Sequence, residues 1–192
     1  MGAANEPKSG DSLAGVGAAN ALERVAARRI LADLPLHVLR ENPAVPYEQD
    51  EVTRLIQDDV DEAVFSEVRD WSVAQLREYI LSPGADSATL LRLGRGLTSE
   101  VIAGVAKLMS NMDLIIAGSK IRVVTHANGT LGLPGRFSVR LQPNHPTDNP
   151  LGMMASTMEG LSFGMGDALI GVNPGTDTVE ATVAILEELH EF

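Results

Sequence analysis

Apolar positions follow two different regimes along this chain. From about Asn20 to about Ile116 they recur at helical spacing, interrupted by frequent capping and breaking residues. Asn20-Ala21-Leu22-Glu23 has the form of a capping box and predicts a helix running to about Leu34. Pro35, Pro43 and Pro46 divide the next segment into a short helical turn and a connector. Val52, Leu55, Ile56 and Val60 recur at helical spacing and predict a helix from Glu48 to Val60. Ser72 opens a helix carrying Val73, Leu76, Tyr79 and Ile80, closed by Ser82-Pro83-Gly84. Thr98-Ser99-Glu100 opens another, with Val101, Val105 and Leu108 inward.

After about Ile121 the period shortens and glycine becomes frequent. Val123-Val124, Phe137 to Leu141 and Ala168 to Val172 read as strands, punctuated by Gly129, Gly132, Gly135, Gly164, Gly166, Gly171 and Gly175. Pro150 to Leu161 is the expected crossover helix, and Thr178 to Leu189 a second helix with Val179, Val183, Ile185, Leu186 and Leu189 as its stripe. The expected division is a mostly helical region over 1–120 and a strand-helix region over 121–192, an α/β chain. Two parallel strands with two helices leave sheet edges open and strand faces thinly covered. The expectation is therefore a fragment, with further strand-helix units beyond it.

Composition narrows the classes. The chain has 192 residues, 44 % apolar and 21 % charged, the balance of an ordinary globular protein. Its net charge of −11 would demand a local basic patch for nucleic-acid binding. Arg24, Arg28 and Arg29 are the densest cluster, and Glu23 and Asp33 flank it, so no nucleic-acid partner is expected. Cysteine is absent, which removes disulfides and thiolate metal sites. No run approaches the ~20 apolar residues of a membrane span, and no secretory signal opens the chain. The expected setting is cytoplasmic, away from membranes.

The candidate chemistry lies where the last strands end. Phe137 to Asn144 and Ala168 to Pro174 are apolar runs that stop in polar side chains and a proline. Arg140 and Asn173 are roughly thirty positions apart, the length of one strand-helix-strand unit. Such a unit makes the strands parallel and puts their carboxyl ends on one edge, where α/β enzymes bind ligands. Arg140 and Gln142 are two apart and share a strand face. Together they offer donors plus one acceptor, suited to a small ligand with a hydroxyl or amine. Alternatively, Arg140 pairs with a nearby acid, Gln142 is an ordinary strand-end residue, and Asn173-Pro174 merely starts a turn. The glycine run from Gly160 to Asp167 precedes its strand, so a tight turn fits it better than a phosphate loop. The histidines, His37, His126, His145 and His190, show no ligand pairing. Asp58, Asp59, Asp61 and Glu62 read as a solvated helix face or subunit contact. No hydrolase nucleophile motif is present.

At these residues the chain resembles the large (heavy) subunit of ethanolamine ammonia-lyase. The resemblance is carried by Ser9-Gly10-Asp11, Glu23-Arg24-Val25-Ala26-Ala27, Val52 to Val60, Gln75-Leu76-Arg77-Glu78-Tyr79 and Gly96 to Val101. It continues through Arg140-Leu141-Gln142-Pro143-Asn144, Glu159 to Gly164 and Ile170-Gly171-Val172-Asn173-Pro174. It implies a helical N-terminal region followed by the first two β/α units of an incomplete TIM (β/α)₈ barrel. It also implies adenosylcobalamin over the barrel mouth, whose deoxyadenosyl radical starts the conversion of ethanolamine to acetaldehyde and ammonia. By the same resemblance Arg140 and Asn173 hold the substrate hydroxyl, Gln142 contacts the amine side, and the Pro174 backbone touches the cofactor. The implied partners are a small subunit and further copies of the large subunit. The family's setting is the cytoplasm, in some hosts inside a bacterial microcompartment. The resemblance further places two substrate-gripping carboxylates beyond this sequence, so the isolated chain is expected to be inactive. The competing expectation is a shortened, non-catalytic protein that binds a partner subunit. A barrel enzyme with a phosphate-bearing substrate fits less well, because no anion loop is visible.

Overall fold

Short helices, most of them capped by their own side chains, build residues Met1–Arg122, one of two units into which the chain divides; the other is Val123–Phe192. The computed structural model describes residues 1–126, 129–166, 169–176 and 178–192. After a 3-10 turn at Gly2–Ala4, the first unit carries α1 (Ser9–Leu13), α2 (Ala21–Asp33), α3 (Leu36–Glu41), α4 (Glu51–Asp58) and α5 (Glu62–Val68). It continues with α6 (Val73–Leu81), α7 (Ser87–Gly94), α8 (Ser99–Leu108) and α9 (Asn111–Lys120).

Side-chain caps start these helices where the sequence placed them. The Asn20 side chain accepts from Glu23 N–H at 2.9 Å, and the Glu23 carboxylate accepts from Ala19 N–H, one residue outside a strict capping box. Ser72 and Gln75 form the full reciprocal box on α6, and Thr98 caps α8. The two short backbone segments before α3 and α6 clamp together: Leu36 N–H donates to Trp71 carbonyl at 2.9 Å and Val73 N–H to Leu34 carbonyl at 3.0 Å. That clamp seats Leu36, Val73, Leu76 and Val101, all fully buried, in one core with Leu31, Phe65 and Val105. Trp71 meets Tyr79 edge-on at 5.2 Å beside it.

On α4, Val52 and Leu55 face solvent, and Gln57 on the opposite side makes paired hydrogen bonds with Arg40. One expectation here needs correction. The acidic run is not one helix face. Asp58 accepts from the Tyr47 hydroxyl, Asp61 caps α5, and Glu62 pairs with Arg40, which also stacks over Phe65.

The second unit is a mixed arrangement of small sheets and helices. β1 (Thr125–His126) and β2 (Thr130–Leu131) form an antiparallel pair. Val123 and Val124 are not in a strand, contrary to the sequence pattern, and Gly132 packs hard against the Val123 carbonyl. β3 (Arg140–Leu141) leads through α10 (Pro150–Ser162) to β4 (Leu169–Ile170), and α11 (Val179–Glu191) comes last. β3 and β4 pair in parallel, Arg140 opposite Leu169 and Leu141 opposite Ile170. Among the described residues only Arg140 and Leu141 of the expected strand from Phe137 lie in a ladder, and Phe137 is 100 % exposed. The expected start of the last strand, Ala168, lies outside the described residues. Of the α11 stripe only Ile185 is buried, while Val179, Val183 and Leu186 are exposed. Among the described residues no helix is long and apolar enough to cross a membrane.

Several helix-capping carboxylates titrate low. The Thr53 side chain and then its N–H lower Asp50, and Thr89 N–H lowers Asp86. The Ser110 N–H and then the Arg77 guanidinium lower Asp113. A folded-state value below the unfolded one, about 3.9, contributes stability above that pH and loses it as pH falls through the depressed value. Urea midpoints should therefore drop as pH falls below about 4, and Asp113→Asn should flatten that slope. An unchanged slope in the variant would remove Asp113 from the account.

Candidate functional site

The carboxyl edge of the β3–β4 pair is built around Leu141. Its carbonyl accepts from Gly171 N–H at 2.8 Å, extending the pairing one step past Ile170. Its side chain lies in a notch that Gly160 leaves on α10, where an added Cβ would overlap the Leu141 methyls. With Leu141 turned toward the helix, strand alternation sends Arg140 and Gln142 to the other face, and both are exposed.

The return from α10 is a Schellman turn with Gly164 at φ +76°. Gly164 N–H donates to Leu161 and Met165 N–H to Gly160. This satisfies the turn reading of the glycine run; Asp167 at its end lies outside the described residues. α10 starts as sharply. The Asn149 side chain accepts from Gly152 N–H, Pro150 occupies the first turn, and the His145 ring packs on Gly152.

The guanidinium of Arg140 folds across Gly171, with its Nη2 2.6 Å and Nε 2.7 Å from where a Cβ would stand. Only glycine leaves that room. Among the described residues Arg140 has no acidic partner, and the side chains of Arg140, Gln142 and Asn173 make no hydrogen bond to another described group. The ion-pair alternative for Arg140 thus finds no partner among them. Asn173 is exposed and Pro174 half-buried, two and three residues beyond the Gly171 that Arg140 covers. Gln142, Asn173 and Pro174 follow the ends of their strands, whereas Arg140 opens β3 and reaches that edge only through its side chain over Gly171.

Sequence reasoning missed Asp148. It sits at φ +50° in the turn between β3 and α10, is 8 % exposed, and its carboxylate accepts from the N–H groups of Gly175 at 2.6 Å and Thr176 at 2.5 Å. Those bonds, Gly175 first and Thr176 next, hold its carboxyl below the usual range. An aspartate before Asn149-Pro150 is a visible turn signal, but a partner 27 residues away is not. Gly171 was seen only as punctuation. Among the described residues no group of histidines and carboxylates could hold a metal ion.

A parallel strand pair whose carboxyl edge carries uncommitted hydrogen-bonding side chains has the build of α/β enzymes that bind small polar molecules. Comparison with known sequences makes this specific. The family described as Ethanolamine ammonia lyase large subunit (EutB) matches residues 1–192. The chain is 50 % identical over 187 residues to the ethanolamine ammonia-lyase large subunits of Salmonella typhimurium strain LT2 and Escherichia coli strain K12. Each match covers 97 % of this chain and 41 % of the relative, so the chain spans about two fifths of their length. The chain belongs to the ethanolamine ammonia-lyase large-subunit family.

Replacing Gly160 with Val should cost about 1–3 kcal/mol by driving Leu141 from its notch. Chemical denaturation measures it; no loss would show that α10 does not seat β3.

Proposed function

We propose that this chain supplies the hydroxyl-holding side of an ethanolamine ammonia-lyase site, at the carboxyl edge of the first two β/α units of a TIM (β/α)₈ barrel. The observation that carries the reading is Arg140: its guanidinium lies over Gly171 at the end of β4, without an acid to neutralise it among the described residues. A cation held in one place without an acid keeps its donors for a ligand. Arg140 and the Asn173 amide donate to the substrate hydroxyl oxygen, and the Gln142 carboxamide oxygen accepts from the ammonium. Each of these bonds fixes ethanolamine in one orientation, which is the protein's share of the catalysis.

Adenosylcobalamin is the cofactor the family implies. Pro174 is the residue here that would meet it. It is half-buried between exposed Asn173 and Gly175, in the loop that follows β4, and its backbone is the part that the family resemblance would set against the macrocycle. Bound there, the cofactor supplies the radical chemistry, and the protein supplies orientation and exclusion of water. In this chain Arg140, Gln142 and Asn173 are all exposed, so exclusion of water requires further structure over the edge. We assign that role to the rest of a complete large subunit, with the small subunit and further large subunits as partners. A cytoplasmic setting, inside a microcompartment where the host builds one, belongs to the same proposal. The non-catalytic alternative keeps the partner and drops the reaction.

In a complete large subunit assembled with its small subunit and adenosylcobalamin, Arg140→Ala should lower kcat/KM for ethanolamine on the order of 10- to 100-fold, the worth of a charge-assisted hydrogen bond. Gly171→Ala should move it the same way with little change in Tm, because it displaces the guanidinium without touching the core. Wild-type kinetics in both variants would sink the reading. The 192-residue chain alone, given ethanolamine and cofactor, should release no ammonia; steady release would refute the need for further structure.

A further inference from the structure

The turn after β3 does not need the Asp148 carboxylate for its own geometry. Asp148 N–H already donates to the His145 carbonyl at 3.1 Å, Thr147 N–H donates to His145 Nδ1, and Asn149 caps α10. Both carboxylate oxygens instead reach the other loop of the edge, one to Gly175 N–H and the other to Thr176 N–H. Gly175 is also close against this turn: a Cβ there would lie 3.5 Å from Asp148 Oδ1 and 3.8 Å from the Pro146 carbonyl oxygen. The left-handed backbone at Asp148, φ +50°, is one that aspartate tolerates and most side chains resist. It aims the carboxylate across the edge.

We propose that Asp148 is a positioning residue: by clamping the two N–H groups that directly follow Asn173-Pro174, it fixes the Asn173 side chain beside Arg140 and Gln142. This inference rests on the reading of Asn173 as a hydroxyl-holding group. The chemistry of the clamp is specific. A carboxylate accepts at both oxygens, whereas an asparagine would accept one N–H and point its own NH₂ at the other. An aspartate buried to 8 % exposure and facing two donors is satisfied; an amide there leaves a donor facing a donor. The loop carrying Asn173 would then lose its fixed distance from β3, while Leu141, Gly160 and the strand pairing stay untouched.

The test uses the complete large subunit assembled with its small subunit and adenosylcobalamin. The readout is preference for ethanolamine over ethylamine, which lacks only the hydroxyl, taken from competitive inhibition. Asn173→Ala should shrink that preference on the order of tenfold. Asp148→Asn should shrink it comparably, and the double variant should show no further loss, because Asp148 acts through Asn173. Amide exchange at Gly175 and Thr176 should quicken in Asp148→Asn. Should that variant fail to fold, Asp148→Glu, which keeps both oxygens on a stem one methylene longer, carries the same two measurements. If Asn173→Ala shrinks the preference and the Asp148 variants leave both preference and amide exchange unchanged, the clamp is overturned and the site reading stands. If Asn173→Ala has no effect, the site reading itself fails and the clamp with it. Additive losses in the double variant would make Asp148 a general stabiliser and overturn the positioning role.

Discussion

Everything distinctive about the candidate site depends on where Leu141 is seated. One residue joins three elements: its side chain fills the notch at Gly160 on α10, its carbonyl receives the Gly171 amide, and its strand partner is Ile170. A strand exposes alternate side chains on opposite faces, so packing Leu141 against the helix commits Arg140 and Gln142 to the free face. A slip of one residue would bury the guanidinium against α10 and leave the leucine in water. That arrangement would cost both the apolar contact and the desolvation of an unpaired cation. The polar character of the edge is therefore a consequence of apolar packing on its far side.

The two glycines that matter work by absence, and in different ways. Gly160 makes room for a leucine, which brings strand to helix. Gly171 makes room for a guanidinium, which lets a side chain from β3 lie across the end of β4. The Asp148 carboxylate then draws the loop after β4 toward the loop after β3 through two backbone bonds. Packing, register and this pair of bonds act on the same small region, and each would be weaker without the others.

The helical unit shows the opposite balance. Its elements are short, capped one by one, and its core of Leu36, Val73, Leu76 and Val101 is closed by a backbone clamp between the starts of α3 and α6. Around that core three arginines tie helices together through acids. Arg40 pairs with Glu62, Arg77 with Asp113 and Arg92 with Glu67. Those pairs tie helix to helix and belong to the scaffold. Arg140 instead lies in the space over a glycine, and among the described residues no acid takes its donors.

Local signals were legible in the sequence because their causes are local. Asn20, Ser72 and Thr98 cap the helices they were expected to cap, since a cap needs only its own first turn. The α10 crossover and the parallel pairing were readable from strand length and spacing. The resemblance to the large-subunit family was legible in the same segments. What failed was whatever depended on a partner elsewhere in the chain. The acidic run was expected on one helix face, but Asp61 caps α5 and Glu62 pairs with Arg40 of α3. Val123-Val124 has strand-like residues and is not in a strand. Asp148 looked like a turn residue, and only folding brought Gly175 and Thr176 to it from 27 and 28 positions away. Sequence alone determined the caps and the helices that start at them, because those depend on nearest neighbours. The tertiary structure decided which faces turn inward and which backbone groups a carboxylate can reach, because burial and hydrogen bonding are settled between segments.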